Sequence, residues 1–76
     1  MATNITTHAE RLAAVRERVV SGEARSIREG AHLRRADIAR AVGVDASTVS
    51  RWESGNRLPT GKPALAYGAL LDRLAR

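Results

Sequence analysis

The sequence predicts an all-α protein, a compact five-helix bundle. Three observations carry this expectation. Apolar residues recur at three- and four-residue spacing in separate stretches, the period of a helix with one inward face. Glycine, serine and proline interrupt the pattern at Ser21-Gly22, at Gly43 and between Gly55 and Gly61, where helices end. A chain of 76 residues without cysteine has neither the bulk for a large core nor a disulfide, so only a tight helical bundle or an oligomer stabilises it well.

The elements follow in order. Residues 1–6 are polar and are expected to form a disordered tail, with residues 7–76 as a single domain. Thr7 with Glu10 makes a capping-box pattern ahead of a helix over 8–20, which has Leu12, Val15 and Val19 on one face. A second helix spans 23–31, with Ala24, Ile27 and Ala31 facing inward, and a third spans 35–42. Asp45 is the N-cap of a fourth over 46–54, and Gly55 ends it. A loop containing Pro59 leads to a fifth, about residues 62–74. No internal repeat, low-complexity tract or linker interrupts the chain.

The third and fourth helices hold the densest information. The run from Arg34 to Asn56, RRADIARAVGVDASTVSRWESGN, reads as two short helices joined by a tight turn, a helix-turn-helix over 34–55. Ala39 sits on the inward face of its first helix, where a larger side chain would push the second away. Gly43 follows that helix where a positive φ is often needed. Val49 points back from the second helix, and Ile38, Val42, Val44 and Trp52 complete the apolar set. Seven positions agreeing in type and spacing favour a DNA-binding arrangement over a plain helical hairpin, with the second helix entering the major groove.

Charge supports that partner. The chain carries +5, and the segment 34–62 alone holds +3, from six cations (Arg34, Arg35, Arg40, Arg51, Arg57, Lys62) against Asp37, Asp45 and Glu53. Positive charge thus gathers on the segment expected to face phosphates. The two aromatics, Trp52 and Tyr67, are too few for stacking unpaired bases, which leaves duplex reading. Neither His8 nor His32 has a cysteine partner, and there is no paired carboxylate or glycine-rich phosphate loop. An enzyme, a metal site and a cofactor are therefore not expected. No apolar run is long enough to span a membrane and no signal-peptide pattern occurs, so a cytoplasmic, nucleoid-associated location is expected.

The residues Ile27-Arg28-Glu29, Leu33, Ala36-Asp37-Ile38-Ala39, Val42-Gly43-Val44, Ser47 to Glu53, Gly55 and Pro59 resemble the Xre-like helix-turn-helix domains, the phage repressor and Cro family. The resemblance covers roughly residues 23–74. It implies a lambda-repressor-like DNA-binding domain and sequence-specific transcriptional regulation on double-stranded DNA, commonly as a dimer.

Side chains in the first turns of the fourth helix lie nearest to base edges: Ala46, Ser47, Thr48, Ser50 and Arg51. Arg51 suits either a bidentate contact to guanine or a phosphate clamp. Ser47 and Ser50 can serve a base or a phosphate. Ala46 and the Thr48 methyl can meet a thymine methyl, with Thr48 the weakest of the five. The resemblance implies phosphate contacts at the start of the third helix, where Arg35 stands, and in the loop after the fourth, where Asn56 and Arg57 stand. Arg34 replaces a usual Ser or Thr N-cap, which removes a cap and adds a cation at a positive helix end; a phosphate there would offset both effects. Lys62 is a further phosphate candidate. The resemblance also implies an ion pair of Glu53 with Arg28 that braces the fourth helix. Trp52 is expected in the core against the second and fifth helices.

One recognition helix reads few base pairs, so specific binding calls for two half-sites ~34 Å apart. The fifth helix is apolar over two stripes, and the excess, Tyr67, Leu70, Leu71 and Leu74, suggests a homodimer face. The helix over 8–20 can instead cover it, completing the bundle, or swap onto a partner. Within regulators the reading leans to a stand-alone phage Cro or repressor type. An antitoxin, an excision-control protein and a protein-interaction module of the same fold are the alternatives. With no ligand domain, no small-molecule effector is expected.

Overall fold

The computed structural model describes residues 7–76, which form five helices; the expected disordered tail, 1–6, lies outside the described residues. Helix α1 (His8–Ser21) begins at a reciprocal capping box. Glu10 N–H donates to Thr7 Oγ1 at 3.1 Å, and Thr7 N–H donates to the Glu10 carboxylate at 2.8 Å. Two amides without helical partners are thereby satisfied. The Glu10 carboxyl titrates below its ordinary value, chiefly because it accepts from the Thr7 backbone N–H, with the Thr7 side chain adding to the effect.

Helix α2 (Glu23–Gly30) follows after Gly22, and α3 (Arg35–Val42) and α4 (Ala46–Ser54) follow in turn. The turn between α2 and α3 holds His32 at φ 61°, the left-handed region that histidine enters more readily than most residues. Helix α5 (Gly61–Leu74) starts one residue earlier than its sequence pattern suggests.

Helix α5 packs on α1, α2 and α3. Val15 and Val19 of α1, Ala24 of α2, Ile38 of α3, Val49 of α4 and Leu71 of α5 meet in one buried cluster. Helices α1 and α5 approach closely at Gly68, where a Cβ would sit 3.4 Å from Val15 Cβ, at the edge of ordinary van der Waals contact. Trp52 of α4 stacks on Tyr67 of α5, with ring centroids 4.8 Å apart and planes at 28°. Such a pair contributes ~0.5–1.5 kcal/mol beyond its buried area.

This packing corrects the expected dimer face. Tyr67 is 1 % exposed and Leu71 is fully buried, so both belong to the core of one chain. Leu70 and Leu74 are half-buried against the same core. The apolar excess of α5 is taken up by α1, which the sequence offered as the alternative cover. Periodicity reports the width of an apolar arc, and that width is the same whether a partner chain or a helix of the same chain covers it.

Candidate nucleic-acid interface

The two helices of the motif cross at small residues. Ala39 is 3 % exposed and Val49 fully buried at their contact. Gly43 takes φ 82° and its N–H donates to Ala39 O at 2.9 Å, closing α3 with a left-handed cap. Val44 N–H reaches the same carbonyl at 3.0 Å. The chain then turns directly into α4, whose N-cap is Asp45.

Buried charge fixes how α4 sits. Glu53, with 3 % of its side chain exposed, accepts from Arg28 Nε at 2.6 Å and Arg28 Nη2 at 3.0 Å. Its Oε1 also accepts from Arg35 Nε at 2.9 Å. Arg28 is nine-tenths buried, and its Nη1 donates to Leu33 O at 2.9 Å. Burial alone pushes the Glu53 carboxyl up; the hydrogen bonds and charges of Arg28 and Arg35 outweigh it and hold the group below its ordinary value. Arg28 is raised, chiefly by its bond to Glu53. The triad ties α2, α3 and α4 together and carries a net single positive charge. The family resemblance implies the Arg28–Glu53 contact; the third member, Arg35, is a phosphate candidate in the sequence and also a partner of Glu53 in the structure. Arg35 keeps 41 % of its side chain exposed, so its outer nitrogens still face solvent while Nε braces Glu53.

Arg34 needs a correction. It is paired with Asp37, Nη2 to Oδ1 at 3.1 Å and Nε to Oδ2 at 3.2 Å, and its backbone N–H donates to Asp37 Oδ2 at 2.9 Å. The start of α3 is therefore capped from its third residue, and the Arg34 cation has a counter-charge without any phosphate. An arginine side chain has no acceptor, so only this reverse half of a capping box exists. The acceptor lies at Asp37 and not at position 34, and its carboxyl is held low by its hydrogen bonds from Arg34.

On α4, Ala46, Ser47, Ser50 and Arg51 are exposed while Val49 and Trp52 are buried. Asp45 collects three bonds on Oδ1: Thr48 Oγ1 at 2.6 Å, Thr48 N–H at 3.1 Å and Ser47 Oγ at 3.1 Å. The hydroxyl bond from Thr48, then its amide, then Ser47 lower the Asp45 pKa. Thr48 is half-buried and belongs first to this cap. Both hydroxyl protons are committed to Asp45, so outward these residues offer acceptor lone pairs.

Past α4, Asn56 N–H and Arg57 N–H both donate to Arg51 O, at 3.0 and 3.3 Å, after Gly55 at φ 81°. Asn56, Arg57 and Lys62 are exposed. Among the described residues, Arg51, Arg57 and Lys62 make no salt bridge. A groove of about 210 Å³ lies between α4 and the start of α5, lined by Val44, Thr48, Trp52, Arg57, Thr60 and Pro63. Among the described residues, no group of His, Asp and Glu is arranged to hold a metal ion, and no helix is long and apolar enough to cross a membrane.

Comparison with known proteins agrees with this geometry. No curated protein and no solved structure matches the chain. A helix-turn-helix family model, HTH_3, matches residues 25–73, which take in α3, α4 and their braces, together with all but the last residue of α5. The family is one of DNA-binding regulatory domains and not typically of enzymes. With well over half of its length matched, the chain belongs to the helix-turn-helix family of the Xre, Cro and C1 type.

Proposed function

We propose that this chain is a sequence-specific reader of double-stranded DNA that acts as a stand-alone transcriptional regulator of the phage Cro or repressor type. The observation that carries the reading is the two-sided character of α4. Its inner side is held by Val49, Trp52 and Glu53, and its outer side presents short polar groups and one unpaired arginine. A helix so braced can enter the major groove without losing its seat.

Arg51 is the guanine reader, taking O6 and N7 through its fork. Ser47 and Ser50 read or anchor from the same edge. Ser47 and Thr48, whose hydroxyl protons face Asp45, accept from the exocyclic amino groups of adenine or cytosine. Ala46 meets a thymine methyl. Arg57 and Lys62 with Asn56 engage phosphates on one side of α4, and the outer nitrogens of Arg35 do so on the other. Arg34 joins them only where a phosphate outcompetes Asp37. Two chains on a palindromic operator, half-sites ~34 Å apart, supply specificity that one helix lacks.

Selection of bound sites from random duplexes, with the unaltered chain and with Arg51→Ala, tests this. A palindromic consensus that loses its preference at one guanine per half-site in the variant is expected. Equal weakening on all sequences would make Arg51 a phosphate clamp. No duplex retention at low salt would refute the reading.

A further inference from the structure

The family match begins at residue 25, so α1 lies outside it, yet one α1 side chain reaches the DNA-facing loop. Arg16 Nε donates to Pro59 O at 2.9 Å in a partly buried contact. Pro59 is itself fully buried. The loop from Gly55 is held at its start by the amides of Asn56 and Arg57 on Arg51 O. Between Arg57 and Gly61, the Arg16 contact is the hydrogen bond that reaches the loop among the described residues. Proline has no N–H and cannot help pin it from the other side. Helix α1 is in turn secured by Val15 against Gly68, and by Arg18 on Asp72 at 2.9 Å and on Glu23 at 3.3 Å.

We propose that Arg16 is a positioning residue for phosphate binding. It fixes the far end of the loop that carries Asn56 and Arg57, so that α1 serves as a brace for the DNA-facing surface. The inference rests on the DNA-reading proposal. With Pro59 O released, the segment from Leu58 to Thr60 loses this hydrogen bond and keeps the burial of the Pro59 ring. The Arg57 cation then samples many positions where one was selected, and the ordering cost falls on binding. The effect is blind to sequence, because phosphate contacts position the protein and carry no base information.

The test separates the Nε donor from the charge. Glutamine places its side-chain nitrogen as many bonds from Cα as arginine places Nε, so Arg16→Gln keeps the donor and removes the cation. Arg16→Met keeps the stem and removes both. Affinity for a random-sequence duplex and for a duplex recovered by selection is measured for all three chains across a salt series, with amide exchange of residues 55–61 followed in the free proteins. Arg16→Met is expected to bind both duplexes several-fold more weakly, with base preference unchanged and a salt slope shallower by about one. Its loop amides exchange faster. Arg16→Gln is expected to restore the exchange rates, the affinity and the slope. A glutamine variant as weak as the methionine variant shows that Arg16 touches phosphate directly, and overturns the brace. Unchanged binding by Arg16→Met overturns it too. An unaltered chain that retains no duplex at low salt refutes the underlying DNA reading instead, and the exchange data then judge the loop contact alone.

Discussion

Replacing Arg28 by methionine is the most decisive perturbation of this fold. The side chain lies nine-tenths buried between α2 and α4, and its partner Glu53 is 3 % exposed. Methionine preserves the apolar stem and removes two bonds to Glu53 and one to Leu33 O. Breaking one side of a buried pair costs ~3–5 kcal/mol; Arg35 still holds one oxygen of the buried Glu53, so the lower end of about 3 kcal/mol is expected. A chain of this length has a total stability of roughly 4–11 kcal/mol at about 0.05–0.15 kcal/mol per residue, so the loss is a large fraction of the whole. Each kcal/mol shifts Tm by ~4–8 °C at this size, and a fall of at least about 12 °C is expected in a thermal melt followed by circular dichroism. Arg35→Gln provides the contrast. Its side chain is 41 % exposed and Glu53 keeps Arg28, so the loss is ~1 kcal/mol or less. The sign with pH follows from Glu53, whose folded pKa lies below its ordinary value of 4.5. Its contribution is complete above that unfolded value and is lost as pH falls through the lower folded value. Arg28→Met should therefore show a weaker acid dependence below about pH 4.5 than the unaltered chain. Equal losses for the two arginine variants, or a loss under ~1 kcal/mol for Arg28→Met, would refute the assignment of the triad as the clamp on α4.

Three other substitutions probe a helix cap, the buried hydroxyl and the charge at the head of α4. Gly43→Ala meets no atom within 4 Å but sits at φ +82°; it should destabilise by ~1–2 kcal/mol from backbone strain alone, measured in urea. Tyr67→Phe should leave stability unchanged or raise it, because the buried hydroxyl has no hydrogen-bond partner among the described residues; a loss above ~1 kcal/mol would reveal a bond to that oxygen. Asp45→Asn keeps an N-cap acceptor and removes the negative charge from the leading end of α4, so binding to random-sequence duplex should tighten in a salt titration; a weaker complex would place Asp45 on a base.

Much of the fold was legible because local rules act strongly here. Thr7-Glu10, Asp45, Gly43 and Gly55 mark helix ends through chemistry that needs no tertiary context, and the structure puts caps at all four. The end of α3 and both bounds of α4 follow from those marks. What escaped the sequence was pairing at a distance. Arg35 was legible as a cation near DNA and not as a partner of Glu53, eighteen positions away. Arg16 and Pro59 are forty-three apart, and nothing in either residue type signals the other. The stripe on α5 misled for a related reason, since the helix that covers it lies at the other end of the chain.

The ion pairs also change what the DNA-facing charge means. Sequence counting puts six cations against three acids between residues 34 and 62, a diffuse excess. The structure sorts them. Arg34 is matched by Asp37, and Arg35 shares Glu53 with the buried Arg28. Those acids hold cations in place at the start of α3, whereas Arg40, Arg51, Arg57 and Lys62 make no salt bridge among the described residues and Asp45 is taken up by the cap of α4. An anion approaching this face meets the cations without salt bridges on α4 and on the loop that Arg16 contacts at Pro59 O. The same acids that lower the net charge thus sharpen where the remaining charge acts. For a reader of duplex DNA, register on the phosphates depends on that sharpening more than on the total of +5.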